Sequence, residues 1–561
     1  MRGGDRRRQV AILAHPTQQN AVAPWLDRFA RDRVHVIAPA EIPEWHLETR
    51  SAEFCKAKNL SQVSLQLKML GPLDVIVSLL SGDRLPGGAK DQFELFQRVF
   101  RHLTRGGVYV LDRTTAPIPS STMGVERWTR LLAAADDPSQ VRTMRRRDAE
   151  LARSTGTVVV SRDAILATKR LKHYVKLRDA DVGQFLARRE PGLKPTELDL
   201  RREQSFAGRA VVTSHGEPIS AETLPGRFDV PQLTLRHYEG TIGSSGGTLL
   251  FSGHTILPDS FRWHLTTNPT NVHLTSVSPE FARIESRFLP NTRLRGSYYT
   301  VDSSNSGHFG HLTTEVISRL WGWDRAKQEI PELKALFHLT PGSTRRPRLE
   351  IELLKAFGIA ESDIVWVNEP VWLESVVSAT PMWHNEAPHY VHPEIATIWS
   401  RLSKGLLPAP PGPTADRLFV SRRGNNRLCR NRVQVEEFFS GRDFHVVFPE
   451  LLTMAEQVAM FSGARVIAGF AGSNLFNLMH ARNLETAIVL SHTSYTARNE
   501  HLITSVTGGE VHYFWSAADL PQPEEGFSKK AFFSDWEVNL DRDGDELDAL
   551  IAGLPPSASR A

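Results

Sequence analysis

The sequence predicts an α/β protein in which a parallel sheet carries helices on both faces. Between residues 417 and 477 strand-like and helix-like segments alternate, with glycine and basic residues at the transitions. Apolar runs predict strands at 418–420, 444–448 and 466–470. Helical spacing of apolar residues predicts the intervening helices at 433–439 and 453–462. This alternation is typical of parallel strands joined by helical crossovers.

Composition places the chain among ordinary globular proteins. Of its 561 residues 40% are hydrophobic and 23% are charged, and the formal net charge of +4 gives no argument for a nucleic-acid partner. No run approaches the ~18 apolar residues of a transmembrane segment, and the arginine-rich start lacks the apolar stretch of a signal peptide. Two cysteines, Cys55 and Cys429, are too few for a disulfide framework. We therefore expect a cytoplasmic protein.

Residues 1–115 are expected to form a separate α/β domain. The predicted elements are strands at 9–14, 34–38, 73–80 and 106–112 and a helix at 93–103. The span 74–112 resembles the second half of an S-adenosylmethionine-dependent methyltransferase. The glycine-rich loop expected after the first strand is missing, because the chain reads HPTQQN there. A degenerate, structural or regulatory domain is therefore the favoured interpretation.

The carboxyl end of strand 466–470 is the predicted ligand site. Gly469, Gly472 and Ser473 precede a predicted helix, and the free amides at a helix start suit a phosphate group. Arg422 follows strand 418–420 closely and Arg427 lies five residues further on. Each guanidinium can offer two parallel N–H groups to phosphate oxygens. The alternative for each arginine is an exposed basic side chain.

Further polar residues near this strand have two interpretations each. Glu500, at the start of a later helix, is either an acceptor for ribose hydroxyls or a carboxylate that favours the helix N-terminus. Asn477 is either a ligand contact or a brace for the loop. Glu456 fits a capping box with Thr453, which explains it structurally. Its neighbour Gln457 has no such explanation and is either a ligand contact or an exposed side chain.

His311 and Glu315 are the candidate catalytic pair. They are four residues apart on a predicted helix, so their side chains are neighbours. A histidine oriented by a carboxylate can remove a proton from a hydroxyl near neutral pH. The alternative is a histidine that stabilises the helix start beside a solvated acid. His308 and His311 lack a third ligand at suitable spacing, so no metal is expected.

The ordered set of these residues resembles the catalytic domain of glycosyltransferase family 61 over about residues 230–520. One part of the resemblance is the segment FGHLTTE at 309–315. The residues that carry the other part are Arg422, Arg427, Asn431, the Glu456–Gln457 pair, Gly469, Gly472, Ser473 and Asn477. One position departs from the family pattern, because Ala471 stands where many members carry histidine. A histidine contact to the donor at that point is absent or supplied from elsewhere.

The resemblance implies a GT-B fold of two Rossmann-like lobes, here with the additional N-terminal α/β domain. The expected organisation is 1–115 methyltransferase-like domain, 116–230 connecting segment, 231–407 acceptor lobe, 408–416 proline-rich linker, 417–525 donor lobe and 526–561 C-terminal tail. The implied activity is an inverting, metal-independent hexosyl- or pentosyltransferase that needs no cofactor. Its partners would be a nucleotide-sugar donor and a glycan or glycoconjugate acceptor.

The resemblance also assigns roles to residues. His311 would be the base and Glu315 its partner. The expected donor-binding residues are Arg422, Arg427, Asn431, Gln457, Gly469, Gly472, Ser473, Asn477 and Glu500.

Three alternatives stay open from the sequence. A non-catalytic two-lobed binding or scaffold protein is favoured slightly by Ala471 and by the missing glycine loop after the first strand. A methyltransferase would act through residues 9–115. A peripheral contact with an anionic membrane would use the run of Arg145, Arg146 and Arg147.

Overall fold

The computed structural model of the protein describes residues 7–39, 52–116, 122–137, 139–303, 305, 307–339, 344–408, 415–424 and 426–556. The chain divides into two compact units. The first comprises Met1–Pro195, Tyr238–Ser245 and Leu249–Arg293, and the second comprises Thr196–His237, Gly246–Thr248 and Leu294–Ala561. All candidate site residues belong to the second unit. The domain boundaries expected from the sequence and the two-lobed GT-B arrangement stay predictions.

The first unit is built around a mixed sheet with helices packed against it. Within the described residues the spatial order of its strands is Ala52–Lys56, Arg33–Ala38, Gln9–Leu13, Leu73–Ser78, Leu103–Asp112, Ala164–Lys169 and Thr155–Val160. The pairings up to Leu103–Asp112 are parallel and the last two are antiparallel. The α-helices of this unit are Gln19–Arg28, Leu60–Leu70, Gln92–Val99, Thr122–Asp136, Arg146–Ser154 and Val182–Arg189.

Both faces of this sheet are buried at its central parallel strands, as the predicted α/β class requires. Along the strand Gln9–Leu13, Ala11 and Leu13 join one apolar cluster while Val10 and Ile12 join another. Successive side chains of a strand point to opposite faces, so each face has its own core. The four strands and the helix predicted in this region are confirmed within a few residues of their expected bounds.

The loop after the strand Gln9–Leu13 lacks a glycine turn and is closed by a side chain instead. Gln18 is buried and donates its amide N–H to the carbonyl oxygen of Leu79 at 2.7 Å. Leu79 directly follows the parallel strand Leu73–Ser78. This bridge joins the carboxyl ends of two adjacent parallel strands, where α/β sheets commonly bind ligands. The loop is therefore closed by a side-chain contact instead of a glycine turn.

The remaining strands of the first unit form a second set of paired strands. In spatial order they are Leu274–Ser276, Phe281–Ile284, Tyr174–Lys176, Thr255–Ile256, Leu250–Ser252 and the later half of Leu233–Ser244.

The second unit contains the parallel sheet predicted around the glycine loop. The order of its strands within the described residues is Ala210–Gly216, Gly509–Ser516, Thr486–His492, Val466–Phe470, Arg417–Val420 and His445–Val447. Every pairing in this sheet is parallel. The helices that connect or flank these strands are Arg432–Ser440, Met454–Gly463, Asn499–Thr507, Lys529–Phe532 and Leu540–Ala552. The predicted alternation of strands and helices between residues 417 and 477 is therefore confirmed.

A further set of strands and helices in the second unit carries the candidate catalytic pair. Its strands are Val371–Ala379, Thr292–Thr300, Lys334–His338 and Ile364–Val367, and the last three pair in parallel. Its helices are Phe309–His311, Trp323–Glu329, Arg348–Phe357 and Ile395–Leu406. The other strands of the unit are Lys194–Arg201, Gln204–Ala207, Arg227–Val230, Trp383–His384 and Tyr390–Val391.

Some sequence predictions fall outside the described residues. Most of the proline-rich linker at 408–416 does so, because residues 409–414 are not described. The first six residues of the arginine-rich start also lie outside. Among the helices of the described ranges, none combines the length and the apolar character needed to cross a membrane.

Candidate functional site

The glycine loop begins where the strand Val466–Phe470 ends. Gly469 pairs with Val420 of the neighbouring strand, and a Cβ atom on Gly469 would lie 2.5 Å from the Val420 carbonyl oxygen. Gly472 has φ +143°, a conformation that residues with side chains rarely adopt. The backbone therefore requires both glycines, Gly469 for close packing of strands and Gly472 for the turn into the 3₁₀ helix Ser473–His480.

Two arginine side chains converge on Gly472. Arg422 lies just beyond the strand Arg417–Val420, and Arg427 follows in the same loop with φ +53°. A Cβ atom on Gly472 would lie 2.8 Å from Arg427 Nη2 and 3.6 Å from Arg422 Nη1. Burial, and then the neighbouring charge of Arg427, lowers the pKa of Arg422 to about 10. The two cations therefore share one small, partly dehydrated space.

No carboxylate within the described part of the chain forms an ion pair with either guanidinium. By contrast, the exposed Arg430 of the same segment pairs with Asp519 at 2.5 Å. Arg422 donates from Nη2 to the carbonyl oxygen of Arg427, and the Arg427 guanidinium lies over the Tyr495 ring, 4.3 Å from its centroid. Two adjacent cations without an anionic partner make this edge of the sheet suitable for a multiply charged anion.

The backbone N–H of Gly472 is bound by a buried carboxylate. Glu500, in the first turn of the helix Asn499–Thr507, is 1% exposed and accepts this N–H at 2.6 Å. Burial raises the pKa of Glu500 to about 7. The sequence suggested that the N–H of Gly472 binds a phosphate, but in this conformation that N–H already donates to Glu500. Ser473 is half-buried at the helix start beside it.

Gln457 and Asn477 form a buried brace behind the loop. The Asn477 amide donates to Gln457 Oε1 at 2.8 Å, and Gln457 Nε2 donates to the carbonyl oxygens of Pro449 and Leu452 at 3.0 and 3.2 Å. Of the two interpretations of Gln457, the exposed one does not hold, because its side chain is 7% exposed. These bonds tie the helix Met454–Gly463 to the helix of the glycine loop.

Asn431 and Glu456 also form hydrogen bonds with other residues of the chain. Asn431 donates to the carbonyl oxygen of Val538 at 2.8 Å and accepts the Val538 N–H at 3.1 Å, which fixes that backbone. Glu456 accepts the Thr453 N–H at 2.7 Å while Thr453 Oγ1 accepts the Glu456 N–H, so the predicted capping box is confirmed.

His311 and Glu315 are in direct contact. His311 Nδ1 and Glu315 Oε1 are 2.6 Å apart, and His311 Nε2 lies 3.2 Å from the Asn305 side-chain amide. An amide N–H can only donate, so Nε2 accepts and the Nδ1–H donates to Glu315. The helix here is not regular, because the turn Leu312–Val316 is π-helical. Such wide turns occur frequently at functional sites.

The segment of His311 packs against the glycine loop within the second unit. A Cβ atom on Gly310 would lie 3.3 Å from Ser473 Cβ and 3.1 Å from the Phe476 ring. The His308 ring lies 4.9 Å from the His311 ring. Burial lowers the pKa of His308, and the neighbouring His311 and Arg427 lower it further. The fold thus brings the candidate base pair and the arginines together, although they are more than 100 residues apart in sequence.

The described residues contain no group of three or more His, Cys, Asp or Glu side chains placed to hold a metal ion. They do contain two residues beside the arginines that the sequence analysis did not single out. These are Tyr495, which stacks with Arg427, and His492, which ends the strand Thr486–His492. The available signal for His492 was its position at the end of a strand, TAIVLSH, whose central residues are apolar.

In the second unit, a glycine loop at the carboxyl edge of a parallel sheet stands beside two arginines that form no ion pair with the described residues. Residues 309–489 match the family model described as Glycosyltransferase 61. The match covers the segment of the candidate catalytic pair, the two arginines and the glycine loop. It confirms the resemblance predicted from the sequence and supports a transferase.

Other comparisons add little. The comparison with curated proteins found no match. Solved structures of the methyltransferase MycE from the mycinamycin biosynthetic pathway, with Mg and SAH, align over 30% of this chain and 42% of MycE in one crystal form, at 14% identity and TM-score 0.22. A second form gives 30% and 45% coverage, 13% identity and TM-score 0.23. The alignment thus spans less than half of MycE.

Proposed function

We propose that the protein is a glycosyltransferase that moves a sugar from a nucleotide-sugar donor to a hydroxyl of a glycan or glycoconjugate. The observation that carries this proposal is the convergence of Arg422 and Arg427 on Gly472 without an ion-pair partner among the described residues. The diphosphate of a nucleotide sugar is an anion of the required charge and size. The family match over residues 309–489 supports the transfer of a glycosyl group.

In the proposed reaction the diphosphate is the leaving group. As the bond between the anomeric carbon and the diphosphate oxygen breaks, the electron pair passes to that oxygen. Arg422 and Arg427 stabilise the charge that develops there, because charge-assisted hydrogen bonds are stronger in a partly dehydrated site. No metal ion is needed for this step when two guanidinium groups are in place.

The acceptor hydroxyl loses its proton to His311. For this step the hydroxyl replaces the Asn305 amide at Nε2, while the Nδ1–H stays bonded to Glu315. The carboxylate holds the tautomer and stabilises the imidazolium that forms. The deprotonated oxygen then attacks the anomeric carbon from the side opposite the diphosphate, which inverts that centre.

The proposal places the protein in the cytoplasm. Cys55 and Cys429 are both free, and a reducing cytoplasm suits free thiols. A role in polysaccharide or glycoconjugate synthesis follows from the proposed acceptor class.

The test begins with a thermal-shift screen against nucleoside diphosphates and nucleotide sugars, because a ligand of the native state raises its apparent stability. The best ligand is then titrated by calorimetry into wild type, Arg422→Ala and Arg430→Ala. Loss of one charge-assisted contact in Arg422→Ala should weaken binding by about 10- to 100-fold. Arg430→Ala is the matched control, since Arg430 is exposed and paired with Asp519. Equal affinity of all three proteins would contradict the donor site.

A further inference from the structure

His492 lies next to the glycine loop although it is 20 residues away in sequence. It is the last residue of the strand Thr486–His492, which pairs in parallel with Val466–Phe470. The Ala471 N–H donates to the carbonyl oxygen of Leu490 at 2.9 Å, so pairing of the two chains extends into the loop. His492 therefore stands at the same carboxyl edge as Gly472.

The imidazole of His492 is buried without a hydrogen-bond partner. The residue is 1% exposed, and neither Nδ1 nor Nε2 has a partner among the described residues. Buried polar groups in folded proteins are nearly always satisfied, and an unsatisfied one destabilises the native state. An apolar side chain of similar volume would fill this place without that penalty.

The surroundings of His492 are those of the arginine site. Its ring lies 5.6 Å from the Trp536 ring and 6.3 Å from the Tyr495 ring. Trp536 donates its indole N–H to the carbonyl oxygen of Arg427 at 3.2 Å, and the Arg427 guanidinium covers Tyr495. The Arg427 Nε is also buried without a partner in the described part of the chain. His492 and Arg427 thus lie against the same aromatic side chains.

His492 is neutral in this environment. Burial, followed by the charges of Arg427 and Arg422, lowers its pKa to about 3. A neutral imidazole carries one N–H donor and one acceptor nitrogen. The carboxylate of Asp519 acts in the opposite direction and raises the pKa of His492, but Asp519 is itself paired with Arg430 at 2.5 Å.

We propose that His492 is a further donor-binding residue, whose ring N–H donates to an oxygen of the same phosphate-bearing ligand that Arg422 and Arg427 bind. This inference rests on the proposed function, because it needs an anion in the arginine site. Binding of the ligand would supply the partner that the ring lacks, after a small displacement of the side chains that cover it. The unsatisfied histidine then destabilises the free protein, and ligand binding removes this destabilisation.

The test compares His492→Leu with His480→Leu. His480 is a matched control: it is a buried histidine of the same unit whose Nδ1 has a partner in Ser403 at 2.8 Å, so that only its Nε2 lacks one among the described residues. The probes are inorganic pyrophosphate and the nucleoside diphosphate that shifts the wild type most. The two measurements are the melting temperature of the free protein and the dissociation constant of each probe.

The two variants should respond in opposite ways. We expect His492→Leu to melt at or above the wild-type temperature and to bind both probes roughly tenfold more weakly, since it loses one hydrogen bond in the complex only. His480→Leu should melt lower and bind as the wild type does. A second variant, His492→Gln, keeps a donor and an acceptor and should recover part of the affinity.

Each other outcome overturns the inference. If His492→Leu melts lower or fails to fold, or if it binds with wild-type affinity, His492 is a core residue. If Arg422→Ala loses binding while His492→Leu does not, the inference fails and the proposed function stands. If the wild type binds neither pyrophosphate nor any nucleotide of the panel, the proposed function fails and the inference fails with it.

Discussion

The carboxylate of Glu500 accepts the backbone N–H of Gly472 at 2.6 Å. The bond joins the first turn of the helix Asn499–Thr507 to the turn of the glycine loop, and it places a buried acid beside two arginines that have no ion-pair partner in the described chain. The loop is therefore held by a group whose charge depends on pH in the physiological range.

Glu500 should make stability decrease between about pH 4.5 and pH 7. Burial raises its native pKa from 4.5 to about 7. In this window the native state keeps a proton that the unfolded chain has released, so the contribution is fully present below pH 4.5 and is lost as pH rises through 7. Glu500→Gln removes the charge and should be more stable than wild type at pH 8 by about 3 kcal/mol.

Urea denaturation of both proteins at pH 5 and pH 8 measures this difference, which should largely vanish at pH 5. Glu510→Gln is the control, because Glu510 is exposed on the strand Gly509–Ser516. An advantage of Glu500→Gln that is the same at both pH values would show that protonation of Glu500 is not its cause.

Gly472→Ala should damage both stability and binding. With φ +143° the new side chain would strain the backbone by about 1–3 kcal/mol. Its Cβ would lie 2.8 Å from Arg427 Nη2 and so displace the guanidinium. Gly463→Ala is the matched control, since a Cβ there meets nothing within 4 Å and a helical alanine should add about 0.5–1 kcal/mol. Denaturation and nucleotide titration test both; unchanged nucleotide affinity in Gly472→Ala would make the loop purely structural.

His311→Ala should lower turnover by about 10²–10⁴-fold and leave donor affinity almost unchanged, because a positioned base acts on the acceptor proton in the transition state. Glu315→Gln should have a smaller effect, since it removes the charge and orientation given to Nδ1 but keeps the base. Steady-state kinetics with the true acceptor provides the measurement. Activity lost in His308→Ala but kept in His311→Ala would assign the base to His308.

Gln457→Leu should destabilise the protein by about 2–3 kcal/mol or more without weakening donor binding of the folded fraction. The change leaves the Asn477 amide and the carbonyl oxygens of Pro449 and Leu452 without their partner in a buried place. Gln434→Leu, on the exposed face of the helix Arg432–Ser440, is the control. If the fully folded Gln457→Leu variant binds nucleotide more weakly than the wild type, Gln457 does contact the nucleotide-sugar donor.

The elements around the glycine loop were predictable because their signals are local. The strand Val466–Phe470 matches its predicted bounds, since it is a continuous apolar run that ends in glycines. The capping box of Thr453 and Glu456 needed only four consecutive residues. The strand Ala52–Lys56 was missed because its side chains are exposed or half-buried and show no apolar run. The wide turn at Leu312–Val316 has no sequence signal that distinguishes it from a regular helix.

The sequence by itself determined the strand–helix alternation, the two glycines and the His311–Glu315 pair, because each depends on residues a few positions apart. Only the tertiary structure decided that Glu500 binds the amide of Gly472, that Gln457 is a buried brace, and that His492 lies beside Arg427. The reason is the order of the parallel strands, which places Arg417–Val420 and Thr486–His492 on either side of Val466–Phe470. Local patterns predict strands, whereas the packing of the whole sheet decides which strand ends meet.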